Sequence, residues 1–453
     1  MADTAMLKRL GRNLISTTVF QASGYVLAMI NVPYLTRTLG VADYGILAFV
    51  ISINAYLYLI IDWGFSLGST RDVAQARGDE DRLREIFWRT MTAKMLLSLL
   101  SIVLLFALLP LQRVPAPIYL LLPGLLNILG AVFTVDWFVQ GLERMAMFTI
   151  YSIAGRILVV LLTFILVHSP KDTWIACGLQ GVGTVAAGFA GFYIACRHLK
   201  MGRPRFPLRQ ALFQIWDYRH YFLSQSSWIA YSTGAPLVLA LVAGSAQVGL
   251  FAGADRMTRV AMALTVPASM VLYPRVNALL TQSRVAAARV AGPFMGFQIV
   301  VALALGAFFF FGADPIATIV LGPGFHKSAV VLRWLSALPL LTGIAGTLSR
   351  QFLIPLGWSR DVSRITMIFT VFYLCLLTGG CFAWGATGAA IALITTELLL
   401  SIVFTIYLLR HEREFALASL AALTDTPRYV MEVVRIFRNK LRPRRPAPPI
   451  PER

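Results

Sequence analysis

The sequence predicts an all-α polytopic membrane protein, with twelve transmembrane helices in two six-helix halves. Three observations carry this reading. Hydrophobic residues fill 58% of the 453 positions and charged residues only 13%, against roughly 25% charged in a soluble domain. Apolar runs recur along the chain at close to the ~20 residues that a ~30 Å hydrocarbon core requires. The longest internal hydrophilic loop, 197–218, leaves six such runs on each side. Mean hydropathy is +0.72, which excludes an ordinary soluble enzyme or binding module.

The opening "MADTAMLKRLGRNLISTTVF" places basic residues before an apolar run, as a signal peptide does. The run passes twenty residues without a clear small-x-small cleavage site, so it reads as a retained first span. The spans expected are 14–35, 43–65, 87–109, 117–138, 146–167, 172–196, 219–242, 247–274, 292–311, 329–353, 362–383 and 386–409. They divide the chain into a first half (1–196), a basic cytoplasmic linker (197–218), a second half (219–410) and a basic cytoplasmic tail (411–453). A gapless shift of 204 residues pairs Gln21 with Gln225, Ser23 with Ser227, Leu35 with Leu239 and Gly40 with Gly244. It also pairs Gly45 with Gly249 and Arg71 with Arg275. Two six-helix halves related by an axis along the membrane normal are a transporter arrangement. Each half opens with a helix carrying proline near its outer end, Pro33 and Pro236, where a missing backbone hydrogen bond makes a kink or a hinge. In the tail, "YVMEVVRIFRNKL" is amphipathic and basic and suits an anionic lipid surface. The Pro/Arg-rich end after it has a disordered composition.

Lys and Arg number 40 against 21 Asp and Glu, a net charge of +19. In a soluble chain that excess points to nucleic acid. Here it is sorted by loop. One set of alternate loops holds only Arg37, Arg113, Lys171 and Lys327, and the other, with the termini, takes nearly every remaining basic residue outside the spans. The positive-inside rule then puts both termini in the cytoplasm, with no nucleic-acid partner implied. Cys177, Cys196, Cys375 and Cys381 all lie in apolar runs without CxxC spacing, as small hydrophobes do.

The stretch "GLFAGADRMTRVAMALTV" (249–266) sets Asp255, Arg256 and Arg259 inside the eighth span, where each charge costs about 3 kcal/mol on insertion scales. At 1.5 Å per residue, Arg256 lies about 13 Å deep and Arg259 about 18 Å. Residues three apart share a helix face, and Asp255 stands four before Arg259, within pairing distance. Arg256 is therefore the less neutralised charge. Arginine's planar fork suits phosphate oxygens, so the cluster is either a diphosphate or sugar contact or a buried structural Asp–Arg pair. The 204-residue shift puts Ile51, Ser52 and Ala55 at the matching places, so the repeat does not demand these charges. Two further charges lie near mid-membrane, Arg156 in "YSIAGRILVV" and Glu397 in "LITTELLLS". Arg156 either extends the cationic surface or forms a buried helix-helix pair. Glu397 is either a proton- or sodium-coupling carboxylate or a packing residue. Lys94, Arg333, Arg350 and Arg364 are expected to snorkel to the interfaces.

Across "PYLTRTLGVADYGILAFVISINAYLYLIIDWGFSLGSTRDVA" (33–74), "DWFVQGLERM" (136–145), "ADRMTRVAMALTVPASMVLYPRV" (254–276) and "QFLIPLGWSRDVSRITMI" (351–368), the chain resembles the polysaccharide-transporter flippases. These are the Wzx-type O-antigen and exopolysaccharide repeat-unit flippases of the MATE-like MOP superfamily. The resemblance covers nearly the whole chain, and its departures are an arginine-rich, lysine-poor character and a longer Pro/Arg tail. It implies a MATE-like flippase fold in the bacterial inner membrane. The implied activity is translocation of an undecaprenyl-diphosphate-linked oligosaccharide from the cytoplasmic to the periplasmic leaflet. It further implies H+ or Na+ coupling without another cofactor or a metal, and a polysaccharide polymerase and chain-length proteins as partners besides the bilayer. A basic residue in span 5 and a glutamate in span 12 fit its pattern at Arg156 and Glu397. Asp62, Arg71, Asp136 and Glu143, at cytoplasmic span ends, match its "IDWGF", "TR" and "DWFVQGLE" motifs, which favours inter-helix pairing that closes a gate over substrate contact. The competing reading is a MATE-type cation-coupled drug or metabolite antiporter, whose cavity is dominated by carboxylates. A lipid II flippase needs two further spans. A polymerase or ligase needs a large periplasmic loop, and the longest outer loop here is about 17 residues.

Overall fold

The computed structural model describes residues 2–108, 120, 122–198, 201–263, 266–427 and 431, and among them every regular element is helical. The expected amphipathic tail stretch, Met431 aside, and the Pro/Arg-rich end lie outside the described residues.

Helix α1 (Ala2–Asp62) contains 61 residues and breaks at Gly40 (φ 75°, ψ 179°). Unbroken it would measure about 90 Å, three times a bilayer core. The break lets one helix supply two spans. α2 (Phe65–Gln75), α3 (Glu80–Leu108), α4 (Gly124–Phe133), α5 (Asp136–Gly141), α6 (Met145–Leu166) and α7 (Thr173–His198) follow. A short linker helix, α8 (Leu208–Asp217), precedes α9 (Arg219–Ala243), α10 (Ser245–Met262), α11 (Val266–Leu280) and α12 (Arg284–Phe311). Then come α13 (Ser328–Leu335), α14 (Leu338–Thr347), α15 (Ser359–His411) and α16 (Arg413–Ala421). α15 has 53 residues and repeats the α1 device, with its break at Gly385 (φ 54°, ψ −128°). Nine described stretches are long and apolar enough to cross a membrane, and two of these are double length. The expected eighth span is not among them, because Asp255, Arg256 and Arg259 interrupt its apolar length. With it, the set is consistent with twelve.

The sequence shift reappears as geometry. α3 and α12 begin 204 residues apart (284 − 80), as do α4 and α13 (328 − 124). Gly40 and Gly244 adopt the same left-handed conformation, φ 75° and 84°, which side chains with a Cβ rarely tolerate. Just beyond these breaks α1 and α10 cross at backbone contact. A Cβ on Gly45 would overlap the Ser245 carbonyl, and a Cβ on Gly249 would overlap the Val41 carbonyl. Since 45 + 204 is 249 and 41 + 204 is 245, the two contacts are reciprocal.

The chain gathers into two compact units, one of Met1–Leu264, Ala307–Leu338 and Ser363–Thr396, the other of Thr265–Gly306, Pro339–Val362 and Glu397–Arg453. The first has a continuous apolar core that includes Leu39, Leu47, Phe49, Phe251, Leu332 and Leu393. In the second, Phe352 packs edge-on against Phe415 with ring centroids 5.2 Å apart. There the buried Glu412 receives Arg284 at 2.5 Å and Trp358 at 3.4 Å.

Candidate functional site

The first unit contains a half-open cavity of about 800 Å³. α1 gives it one helix face, since Gln21, Gly24, Tyr25, Ala28 and Asn31 recur every three or four residues. α6 adds Tyr151, Ser152 and Arg156, and α7 adds Gln180, Thr184 and the small Gly183 and Ala187. Asp136 and Gln140 on α5, Thr134 and Val135 before it, and Tyr58 from α1 line it as well. α10 contributes Arg256.

The two arginines are held differently. Arg156 donates through Nη1 to the Phe20 carbonyl at 2.8 Å and to Ser23 Oγ at 3.4 Å, and its guanidinium lies 4.0 Å from the Phe20 ring centroid. Gly24 leaves the room, because a Cβ there would sit 2.8 Å from Nη1. Arg256 is exposed to the cavity and forms no ion pair with a described carboxylate. Each guanidinium lies in the other's field. Two cations against one lining carboxylate, Asp136, leave this half-open space with a net attraction for an anion. Arg259 is not among the lining residues. Its Nε donates to both Asp255 oxygens, at 2.9 and 2.7 Å, beside the Tyr231–Tyr373 ring pair. Helical spacing explains the split: Arg259 has a carboxylate four residues earlier, whereas Ala252 and Val260 flank Arg256 at that distance.

The structure corrects the expectation for Lys94. This residue is fully buried, and Nζ donates to the Thr134 carbonyl at 2.7 Å and to Thr134 Oγ1 at 3.0 Å. It lies within the electrostatic range of Asp136 and Asp62 but makes no ion pair with either within 4 Å. The physical reason is the face it occupies: Lys94 points into the packing where α4 and α5 part, and there the Thr134 carbonyl and hydroxyl satisfy the ammonium without an interface. Its partner carbonyl is free because Thr134 is extended (φ −68°, ψ 126°), between α4 and α5. Asp136 opens α5 beside it, with one buried carboxylate oxygen unpartnered. Asp62 accepts Ser66 Oγ at 2.8 Å on Oδ2, and its Oδ1 is likewise buried without a hydrogen bond.

Of the other motif residues, Arg71 bonds the Tyr221 hydroxyl at 3.0 Å and Asp72 at 3.2 Å. Asp72 also takes Arg89 at 3.1 Å and the Tyr218 hydroxyl at 2.6 Å, a hub that the sequence did not reveal. Glu143, at φ 57°, pairs with Arg77 at 2.8 Å. Asp62 and Asp136 are thus brought together around Lys94, while Arg71 and Glu143 join separate clusters. Glu397 is buried in α15, in the second unit. Arg333 pairs with Asp314, and Arg350 and Arg364 are exposed. No His, Cys, Asp and Glu group among the described residues has a metal-holding arrangement.

The family profile described as "Polysaccharide biosynthesis protein" matches residues 10–280. The chain belongs to this family. Among curated proteins, this family member is 28% identical over 396 residues to one named "Putative O-antigen transporter" from Escherichia coli K12, which covers 86% of this chain and 95% of that one. A Shigella dysenteriae protein of the same name is 26% identical over 394 residues, 86% and 97% of the two chains. Among solved structures, the lipid II flippase MurJ in an inward closed conformation superposes with a TM-score of 0.69 at 13% identity, over 93% of this chain and 92% of that one. An inward-facing multidrug resistance MATE transporter of the MOP superfamily gives 0.64 at 17% identity, over 92% and 98%. The expected family and MATE-like fold are therefore observed. The sequence reading missed the neutral cavity lining. Its signal was the polar stripe Gln21, Tyr25 and Asn31 on an otherwise apolar span.

Proposed function

We propose that this protein flips an undecaprenyl-diphosphate-linked oligosaccharide from the cytoplasmic to the periplasmic leaflet by alternating access. The observation that carries the reading is the pair Arg156 and Arg256 facing one polar cavity. A diphosphate is the dianion such a pair suits. Tyr25, Tyr58 and Tyr151 offer rings for sugar faces, and Gln21, Asn31 and Gln180 offer amides for hydroxyls. The names of the curated relatives and the fold shared with a lipid flippase point the same way. The protein makes and breaks no covalent bond in this scheme, so it is a carrier and not an enzyme.

The loop asymmetry supports an inner-membrane orientation with both termini cytoplasmic. The closed Gly45–Gly249 crossing is then at the periplasmic end. The halves 1–196 and 219–410 rock about that crossing, with 197–218 as linker and 411–453 as tail. Asp62, Arg71, Asp136 and Glu143 pair and unpair at the cytoplasmic gate. Asp255 and Arg259 steady the helix that presents Arg256. Glu397 couples the cycle to H+ or Na+, and Glu397→Gln abolishes the pH or sodium dependence of flipping while the protein still inserts. Unchanged ion dependence assigns Glu397 to packing. A polymerase and chain-length proteins receive the product. Cation-coupled drug antiport is the second reading, favoured by Asp136 at the cavity wall and opposed by Lys94 behind it.

The test is a leaflet assay in proteoliposomes on a lipid-diphosphate-linked oligosaccharide, alongside quantified membrane protein. Arg256→Ala lowers flipping by about tenfold or more at unchanged abundance, the scale of one charge-assisted hydrogen bond. Arg256→Lys restores it in part. Full transport by Arg256→Ala overturns the diphosphate role.

A further inference from the structure

The linker helix α8 has three chemically distinct faces. At about 100° per residue, Ala211, Gln214 and Ile215 form the face turned to the protein. Ala211 and Gln214 are buried, Gln214 Nε2 donates to Ser69 Oγ and Thr90 Oγ1 at 3.1 Å each, and the Ile215 carbonyl accepts Trp63 Nε1 at 2.8 Å. On an outward arc that begins at Leu208 beside Ile215 and reaches the far side at Phe213, Leu208, Leu212, Phe213 and Trp216 are 56%, 59%, 72% and 67% exposed. The third edge carries Gln210 and Asp217, both exposed. Single exposed hydrophobes are ordinary, but four on one face of a ten-residue helix are not.

Arginines frame the apolar face. Arg203, Arg205, Arg209 and Arg219 are exposed, and none of them pairs with a described carboxylate. Asp217 is the only acidic residue from 203 to 219. Arg209 falls within the apolar arc, and Arg219 lies over the Trp216 ring at 4.6 Å while donating to the Trp216 carbonyl at 2.8 Å. An apolar face bordered by unpaired guanidiniums complements acyl chains below and anionic headgroups above.

We propose that α8 is an interfacial helix that binds anionic phospholipid, its aromatic face seated among acyl chains, with its own Arg209 and the flanking Arg203, Arg205 and Arg219 on headgroup phosphates. The bound lipid acts on the transport machinery through the helix's other face. Trp63, which α8 holds through Ile215, stacks on Phe222 at 4.0 Å and directly follows Asp62 of the buried Lys94 cluster. Tyr218, at the end of α8, bonds Asp72. Anionic lipid thus fixes the segment joining α1 to α2. This holds whichever lipid-linked substrate is carried.

The full-length protein in nanodiscs tests it. Phosphatidylcholine or phosphatidylglycerol with brominated acyl chains is added at equal mole fraction, and the Trp216 signal is isolated as wild type minus Trp216→Phe. Brominated phosphatidylglycerol quenches this signal at least about twofold more strongly than brominated phosphatidylcholine, because anionic headgroups gather around basic interfacial residues. Replacing Arg203, Arg205, Arg209 and Arg219 by Gln removes the preference but keeps the quenching by phosphatidylcholine. Equal quenching of the wild type by both lipids overturns headgroup recognition. Quenching by neither overturns the lipid seat altogether and leaves the face to a protein partner.

Discussion

Lys94 and Gln298 stand 204 residues apart, on α3 and α12, and their surroundings have become opposites. Lys94 is buried against Thr134 in the field of two aspartates, next to a cavity of about 800 Å³. Gln298 is also buried, with its amide oxygen unpartnered, and it borders a void lined by Met295, Ile299, Leu340, Gly343 and Ile344 that has no room for water. The place held by Asp136 in one half is held by Leu340 in the other (340 − 136). The same divergence separates Asp255, Arg256 and Arg259 from Ile51, Ser52 and Ala55. Both halves keep the glycines and apolar rows that make helices cross. One half alone keeps charge and space around Lys94. Architecture and chemistry are therefore carried by different residues, and they can be broken separately.

The shared architecture breaks most easily at its crossing. Gly45→Leu or Gly249→Leu drives a side chain into a backbone carbonyl that cannot move aside. Either change cuts membrane abundance to under about a tenth of wild type, measured by quantitative blotting. Gly346→Leu, at a glycine with open space around it, leaves abundance near normal. Normal abundance of both crossing variants removes the common core from the comparison.

The divergence is sharpened at Lys94 itself. Lys94→Met removes the cation beside the buried Asp62 and the half-buried Asp136, costs about 1–3 kcal/mol, and lowers both abundance and thermal stability. Gln298→Met, into dry surroundings, costs less than about 1.5 kcal/mol. Equal losses show that the two sites are energetically alike after all.

A smaller effect distinguishes Arg259 from Arg256. Asp255→Asn alone strands Arg259 and reduces abundance about two- to threefold, whereas Asp255→Asn with Arg259→Gln restores it. Flipping per molecule stays impaired in the double variant, because the helix presenting Arg256 has lost its brace. A double variant no more abundant than the single one shows that the pair does not stabilise α10.

Much of this was legible in sequence because apolar length, loop charge and glycine position are local properties. The i,i+4 rule also separated the paired Arg259 from the unpaired Arg256. Lys94 was misplaced because the face it occupies, and not its distance from the span end, decides its surroundings, and the partner on that face lies 40 residues away in sequence. The Thr134 carbonyl that receives it exists only because α4 and α5 part, and a local pattern does not show a break inside an apolar run. The cavity amides come from separate helices, Gln21 and Asn31 on α1, Gln140 on α5 and Gln180 on α7. Their convergence is tertiary, and no spacing along the chain encodes it.

The reciprocal contact of Gly45 with Ser245 and of Gly249 with Val41 has the form of an isologous interface, in which one patch meets its own counterpart across a twofold axis. Such a patch needs no second gene to find a partner. A half-length chain ending before the linker would present Val41 and Gly45 to a copy of itself, and a tandem fusion of two copies would keep that contact while freeing each copy to change. Each copy could then gain charge where the other keeps neutral packing, Lys94 against Gln298 in one direction and Arg256 against Ser52 in the other.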